Sequence, residues 1–357
     1  MGHSFERFVG IDWSGAARTS GQQIYVAEAH RHGGRITLHS VLRARDRAAV
    51  ETFLRGGALE PAPAWAGWPG PTELSGRRAR LIGLDFAFGF PAAFRHPDRP
   101  DGRWDWPDLG RLASSLDSDG AGVRERLAGD PLLAGQFRFE RGANATMHLR
   151  LTDEELAAAG AANGLRAESV FHLVGPSQVG IGSLTGIAML HRLRSEQRVA
   201  VWPFAEDDAL DAAPVVLIEV YPRMWLEHGL HKNEFPERVR QLEAWEHQGI
   251  VYRSKAELAA ASSGDALDAA AAAIGLARSS PSLPSPAVLP RESREREGWI
   301  AGVQVPERQA ADNPSPEAAG GAAGAAGGPA GAAGGANAEA EGTDPGRPGA
   351  GRLRVVR

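Results

Sequence analysis

The sequence predicts an α/β fold in which helices flank a mixed sheet. Three observations support this prediction: short apolar runs of strand-forming residues recur along the chain, a Gly-Gly turn separates two of them, and helical patterns separate the others. Strands joined by a tight turn run antiparallel, whereas strands joined by a helical crossover run parallel. A chain with both kinds of connection is expected to form a sheet in which both orientations occur.

The first predicted elements form a three-stranded antiparallel meander. A strand at 8–12 is followed by strands at 22–30 and 35–42, which flank the turn signal His32-Gly33-Gly34. A loop rich in Pro, Trp and Gly at 57–78 separates the next two elements. Those elements are a helix at 46–55 and a fourth strand at 80–88.

The middle of the chain has a less regular pattern. Residues 92–170 are rich in proline and show one polar helical stretch, at 152–160, so we expect an irregular insertion that lies over one face of the sheet. The elements predicted after it are a helix at 180–195, a candidate strand at 198–204, a strand at 215–220, and helices at 236–248 and 265–278.

The composition indicates one large domain and a tail. The chain has 357 residues, of which 43% are hydrophobic, and this is enough to bury a substantial core. We assign residues 1–307 to this domain. Residues 308–357 are dominated by Ala, Gly and Pro and lack large apolar side chains to bury, so we predict that they form a disordered tail.

The composition also excludes several functional classes. The chain has no cysteine, which excludes disulfide scaffolds, thiolate metal sites and thiol catalysis. It shows no secretory signal and no apolar run of about 18 residues, so we expect a cytoplasmic protein without membrane segments. The net charge of −5 argues against a protein that coats long nucleic acid, but a small nucleic-acid or nucleotide substrate remains open.

Three of the apolar runs each end in one acidic residue. They read 8-FVGID-12, 81-LIGLD-85 and 215-VVLIE-219, so Asp12, Asp85 and Glu219 come at the ends of strands. Parallel strands of an α/β sheet bring their carboxyl ends to one edge, where such proteins keep their sites. The sequence therefore predicts that these three acids gather at that edge.

A helix adds two further acids. Ser262, Ser263 and Gly264 supply a start signal, and Asp265 and Asp268 follow three residues apart, so both project from one face. The rest of that face is alanine, which permits the helix to approach the sheet closely.

Such a cluster of carboxylates needs neutralising charge. Two like charges about 4 Å apart repel by roughly 4 kcal/mol at an effective dielectric constant near 20, so protons or cations have to be present. Oxygen-only ligands suit Mg²⁺ or Mn²⁺, and two such ions would assist phosphodiester cleavage. Each acid also has a simpler explanation: Asp12 can bond to turn amides, Glu219 can pair with an arginine, and Asp265 can stabilise the helix dipole.

The segments that carry these acids resemble the ribonuclease-H-fold superfamily, in particular the predicted nucleases grouped as domain-of-unknown-function family 429. The resemblance covers most of 8–302, and the DxxD helix is also similar to that of the Holliday-junction resolvases. It rests on the segments 9-VGIDWSGA-16, 82-IGLDFAFGFP-91, 218-IEVYP-222, 264-GDALDAAAAA-273 and 297-EGWI-300. It implies a five-stranded mixed sheet with Asp12 on the central strand, and metal binding by Asp12, Asp85, Glu219, Asp265 and Asp268.

We therefore expect a divalent-metal-dependent nuclease or phosphodiesterase that holds two Mg²⁺ or Mn²⁺ ions. Asp12 would bridge the ions, and Asp268 with Asp265 would hold the second one. The residues expected to be catalytic are Asp12, Asp85, Glu219 and Asp268.

Gly/Ser-rich stretches provide candidate substrate contacts. The segment 174-VGPSQVGIGSLTGIAML-190 leads into a helix whose first amides can hold a phosphate, so we consider Ser177 and Gly182. Ser14, just after Asp12, is a third candidate. The Ser14-Gly15 pair also resembles the first phosphate loop of actin-like ATPases. An actin-like nucleotide-binding protein is therefore one alternative, and a non-catalytic interaction domain of the same fold is another.

Overall fold

The computed structural model divides the chain into two units, Met1–Asn313 and Pro314–Arg357, and every residue described below belongs to the first. The tail predicted at 308–357 lies outside the described residues. The structure describes residues 5–13, 23–60, 80–99, 101–116, 122–140, 148–160, 165–174, 179–253, 255–279 and 283–306.

The described residues form an α/β unit around one mixed sheet, as the sequence predicts. The strand order is β5-β6-β4-β1-β2-β3-β7, and β2 alone is antiparallel to its neighbours. The strands are β1 (Arg7–Asp12), β2 (Tyr25–His32), β3 (Arg35–Arg43), β4 (Arg80–Leu84), β5 (Val199–Val201), β6 (Val215–Glu219) and β7 (Ile250–Tyr252).

The expected number of five strands is wrong, since the sheet contains seven described strands. The two additional strands, β5 and β7, have three residues each and lie at the two edges of the sheet. β5 falls within the candidate strand predicted at 198–204, whereas β7 was not predicted, because three residues are too few to show the two-residue periodicity of a strand. β1 nevertheless lies at the centre of the sheet, with three strands on either side.

The helices surround this sheet. Four of them, α2 to α5, lie within 92–170, where the sequence led us to expect one helix in an otherwise irregular insertion. None of the described helices is both long and apolar enough to cross a membrane. The helices are α1 (Arg47–Leu54), α2 (Trp106–Ser115), α3 (Val123–Gly129), α4 (Pro131–Ala134), α5 (Leu151–Gly160), α6 (Val179–Leu193), α7 (Asp207–Ala212), α8 (Phe235–His247), α9 (Ala256–Ala260) and α10 (Gly264–Ser279).

The local signals explain where the first elements begin and turn. Gly33 and Gly34 connect β2 to β3 with φ values of 54° and 84°, a left-handed backbone that glycine adopts without a steric penalty. Asp46 caps α1, because its side chain accepts a hydrogen bond from the Ala49 amide at 2.8 Å. These turns and caps fix the direction of the chain on either side of the meander.

Both faces of the sheet are buried, and successive residues of β1 alternate between them. Val9 and Ile11 pack in the core beneath α1, α2 and α6, whereas Phe8 packs in the core beneath α8, α9 and α10. Gly10 also points toward α10, where an added Cβ would lie 2.6 Å from the Ala273 nitrogen. The absence of a side chain at Gly10 therefore permits α10 to lie directly against the central strand.

Candidate metal centre

Three of the predicted acids meet at the carboxyl edge of the sheet. Asp12, Asp85 and Asp268 each offer a carboxylate oxygen, and the three oxygens lie within 4.8 Å of one another. Asp268 is buried, whereas Asp12 and Asp85 are partly exposed. The cluster therefore joins three separate segments of the chain and is partly accessible to solvent.

The pairing of the strands explains why Asp12 and Asp85 meet. Ile11 pairs with Leu84 in the parallel ladder of β1 and β4, so the next residue of each strand is an aspartate at the same level. Alternation along each strand turns both aspartates toward α10. Asp268, in the second turn of α10, is brought to them by the close approach of that helix to Gly10.

The electrostatics of the cluster favour a proton or a cation. Burial, followed by the charges of Asp268 and Asp85, raises the pKa of Asp12 well above its ordinary value. Burial and the Asp268 charge raise the pKa of Asp85 to about 8. Burial also raises the pKa of Asp268, although Lys232 opposes this effect. Each carboxylate is thus costly to ionise unless positive charge lies nearby.

The protein itself places one positive charge in the cluster. The Lys232 ammonium donates a hydrogen bond to Oδ2 of Asp268. Burial acts to lower the pKa of Lys232, but Asp268 first, and then Asp12 and Asp85, raise it above its ordinary value. The Lys232 ammonium therefore supplies part of the positive charge that the three carboxylates require.

Glu219 lies close to this cluster but has different partners. Its Oε1 and Oε2 accept hydrogen bonds from the Arg150 guanidinium at 2.6 and 2.7 Å, and Oε2 also accepts one from the Phe88 amide at 2.9 Å. Burial raises the pKa of Glu219, and Arg150 opposes that rise. Glu219 thus forms the ion pair with an arginine that the sequence left open as its simpler explanation.

Arg150 is the centre of a buried polar network next to the metal centre. Besides Glu219, it binds the Asp153 carboxylate through two contacts of 2.8 Å and the Glu297 carbonyl oxygen at 3.1 Å. The Glu297 carboxylate in turn accepts hydrogen bonds from the amides of Leu151 and Ala92. This network connects the start of α5, the end of β6 and the segment near Glu297.

The remaining predicted residues lie in different places. Asp265 is in the first turn of α10, outside the group of three, although its charge raises the pKa values of Asp12, Asp85 and Asp268. Gly182 is buried within α6, and its carbonyl oxygen accepts a hydrogen bond from the Thr185 hydroxyl at 3.1 Å. Ser14 and Ser177, the other two candidate substrate contacts, lie outside the described residues.

Two residues of this region were not found by reasoning from the sequence. Lys232 had one usable signal, since the chain contains only two lysines, Lys232 and Lys255. Arg150 had none, because arginine is abundant throughout the chain and the surrounding residues form no recognisable motif. Both became identifiable only when the fold brought them against acids more than 30 residues away.

No protein-family model, curated protein or solved structure matches this chain. The family resemblance seen in the sequence therefore remains a prediction.

The chemistry of the donor atoms fits a hard divalent cation. Three carboxylates and no sulfur or imidazole ligand form the group, and oxygen-only sets of this kind suit Mg²⁺ or Mn²⁺. The Lys232 ammonium on Asp268 acts as a stand-in for such an ion, since it shows that this group of acids accommodates a positive charge. The group of three would therefore hold such an ion through one carboxylate oxygen from each aspartate.

Proposed function

We propose that this protein is a divalent-metal-dependent hydrolase of phosphodiesters, that is, a nuclease or a related phosphodiesterase. The observation that carries the proposal is the convergence of Asp12, Asp85 and Asp268, from β1, the end of β4 and α10, on one partly open site. The pKa of Glu219 is raised as well, but both of its oxygens are bound by Arg150 and it is not part of the group of three. A group that retains three raised carboxyl pKa values is typical of a functional site.

The residues of the chain have distinct roles in this proposal. Asp12, Asp85 and Asp268 hold the cation, which when bound supplies the positive charge that a phosphodiester needs to approach an acidic site and react with water. Hydrolysis forms a bond from the water oxygen to phosphorus, breaks the bond from phosphorus to the leaving oxygen, and transfers one proton of that water to the leaving oxygen. The Lys232 ammonium adds positive charge at the same place, while the Arg150 network holds the adjoining backbone.

The sheet is consistent with the ribonuclease-H fold that the sequence resemblance implies. β1 carries Asp12 and lies at the centre, β2 is antiparallel to it, and β4 and β6 follow in parallel on the other side. The two edge strands extend this arrangement without altering its order. This strand order supports the proposed activity, because the fold implied by the sequence resemblance is one of metal-dependent nucleases.

A cleavage assay tests the proposal directly. The purified protein is incubated with Mn²⁺ and a panel of single-stranded and double-stranded DNA and RNA, branched junctions and small phosphodiesters, beside Asp12→Asn and the exposed control Asp98→Asn. We expect cleavage of at least one substrate by wild type and Asp98→Asn, and none by Asp12→Asn.

Two outcomes would contradict the proposal. One is full cleavage by Asp12→Asn, since the activity would then not depend on the cluster. The other is tight binding of ATP with Mg²⁺ and no cleavage of any phosphodiester, which would favour the actin-like alternative. In metal-free buffer Asp12→Asn should also melt at a higher temperature than wild type, because the substitution removes repulsion within the cluster.

A further inference from the structure

Lys232 is held in the acidic cluster by features that belong to its own surroundings. Its carbonyl oxygen accepts a hydrogen bond from the buried Arg238 guanidinium at 2.8 Å, and Arg238 is itself fixed to the Ala261 carbonyl oxygen at 2.7 Å. The first residue of α10, Gly264, leaves room for the lysine, since a Cβ there would lie 3.2 Å from Lys232 Cγ. The backbone of Lys232 is therefore fixed, and from this fixed point its partly exposed side chain reaches Asp268.

The charge of Lys232 acts on the whole cluster. Its ammonium is bonded to Oδ2 of Asp268, and Asp268 offers an oxygen that lies within 4.8 Å of an oxygen of Asp12 and of Asp85. The ammonium thus affects all three proposed metal ligands. The ammonium is bonded to one carboxylate oxygen of Asp268. A second metal ion held between Asp268 and Asp265 would compete with the ammonium for Asp268.

The other carboxylate expected to complete two coordination shells is also occupied. Both oxygens of Glu219 are bound by Arg150, and one of them accepts the Phe88 amide as well. Asp12, Asp85 and Asp268 each offer a carboxylate oxygen to one group of three, and Asp265 lies outside that group. This set provides one complete group of three and no second group among the described residues.

We propose that the site binds a single divalent cation through Asp12, Asp85 and Asp268, and that the Lys232 ammonium takes the place of a second ion. The inference rests on the proposed metal-dependent function. It replaces the two ions expected from the sequence with one ion and one lysine. Two positive groups would then act on the phosphodiester: the bound divalent cation and the Lys232 ammonium of the protein. Removal of the lysine charge should leave Asp268 and Asp265 free to hold a second cation.

The number of bound ions tests this inference without relying on activity. Mn²⁺ binding is measured by isothermal titration and native mass spectrometry for wild type, Lys232→Met, Lys232→Arg and the control Lys255→Met. We expect one ion for wild type, for Lys232→Arg and for Lys255→Met, and two ions for Lys232→Met. Circular dichroism of each variant establishes whether it is folded.

A second measurement uses wild-type protein alone, so it does not depend on how any variant folds. Because the chain has two lysines, selective ¹³C-lysine labelling gives two side-chain Cε signals. One equivalent of paramagnetic Mn²⁺ should broaden the Lys232 signal and leave that of Lys255 sharp.

The possible failures are distinguishable. Two ions bound to the wild-type protein, or a Lys232 signal that Mn²⁺ leaves sharp, would overturn the role of Lys232 and leave a metal-dependent hydrolase standing. One ion bound to folded Lys232→Met would likewise overturn the replacement of an ion by the lysine. No ion bound to any variant would overturn the proposed function together with this inference.

Discussion

Glu219 pairs with Leu84 in the parallel ladder of β4 and β6, one residue short of Asp85. A shift of one residue along a strand turns a side chain to the opposite face of the sheet. Glu219 therefore points away from α10, toward the face where Val215 and Leu217 are buried and where Arg150 meets it. Asp85 and Glu219 look equivalent in the sequence, since each follows an apolar run. Because of this register, Asp85 is a candidate metal ligand, whereas Glu219 forms an ion pair with Arg150.

Substitutions at these two acids should have different effects on metal binding. Asp85→Asn removes a ligand and should abolish measurable Mn²⁺ binding. Glu219→Gln removes no ligand and should reduce the affinity by at most about tenfold, the lower end of the effect of outer-shell partners. Isothermal titration with both variants checks this, and an equal loss of binding in the two would contradict the separation of roles.

Arg150 should be among the residues that are most important for stability. Arg150→Met leaves the buried carboxylates of Glu219 and Asp153 without their cation, and breaking a buried ion pair in this way costs about 3–5 kcal/mol. The matched control is Arg291→Met, because the Arg291–Glu295 pair is exposed and such pairs contribute about 0–1 kcal/mol. Urea unfolding of both variants, with metal absent, measures the difference. Similar free energies of unfolding would show that the network is not a stabilising one.

The close approach of α10 to β1 should make Gly10 intolerant of a side chain. A Cβ at Gly10 would lie 2.6 Å from Ala272 Cβ and from the Ala273 nitrogen, so the helix would have to move. We expect Gly10→Ala to cost about 1–3 kcal/mol, as overpacking of a core does, and to weaken Mn²⁺ binding by moving Asp268 away from Asp12. Gly129→Ala is the control, since nothing lies within 4 Å of its Cβ position. Unchanged metal affinity in Gly10→Ala would mean that the cluster does not depend on this contact.

A second, separate region should respond to acid. Burial and the neighbouring charge of His30 lower the pKa of His39 to about 4, with Arg253 and Arg7 acting in the same direction and Glu28 against them. Because the folded state favours neutral His39, its contribution to stability is present above the ordinary histidine pKa of about 6.5 and is lost as the pH falls toward 4.

The variant His39→Gln isolates this contribution. The free energy of unfolding of wild type, measured with urea between pH 7.5 and pH 4.5, should fall more steeply than that of His39→Gln over the same range. Parallel curves for the two proteins would contradict the assignment. The comparison is made between the two curves, because other groups titrate in both proteins.

The part of the site that could be predicted from the sequence is the part that follows from local pattern. Asp12 and Asp85 were identified because each ends an apolar strand, and Asp268 because its helix face is otherwise alanine. The role of Glu219 was not predictable, because the pairing register of β4 with β6 decides its face and no local pattern records that register. The contact of Lys232 with Asp268 joins residues 36 apart, which the sequence could not reveal either.

The same limit applies to the fold. The central strands and the long helices α6, α8 and α10 were predictable because they are long enough to show their periodicity. β5 and α5 match the elements predicted at 198–204 and 152–160, whereas the three-residue strand β7 and the helices α2, α3 and α4 were not predicted and depend on tertiary contacts. Trp106 in α2, for example, donates a hydrogen bond to the carbonyl oxygen of Phe88 and so fixes α2 to the residues that follow β4.

The most direct test of the central claim is a crystal structure of the protein soaked in Mn²⁺, with anomalous scattering recorded for the metal. The account predicts one anomalous peak coordinated by carboxylate oxygens of Asp12, Asp85 and Asp268, with the Lys232 ammonium still beside Asp268 and Glu219 still bound to Arg150. A Mn²⁺-soaked crystal that has no anomalous peak between these three aspartates, or in which they share no ion, would contradict it.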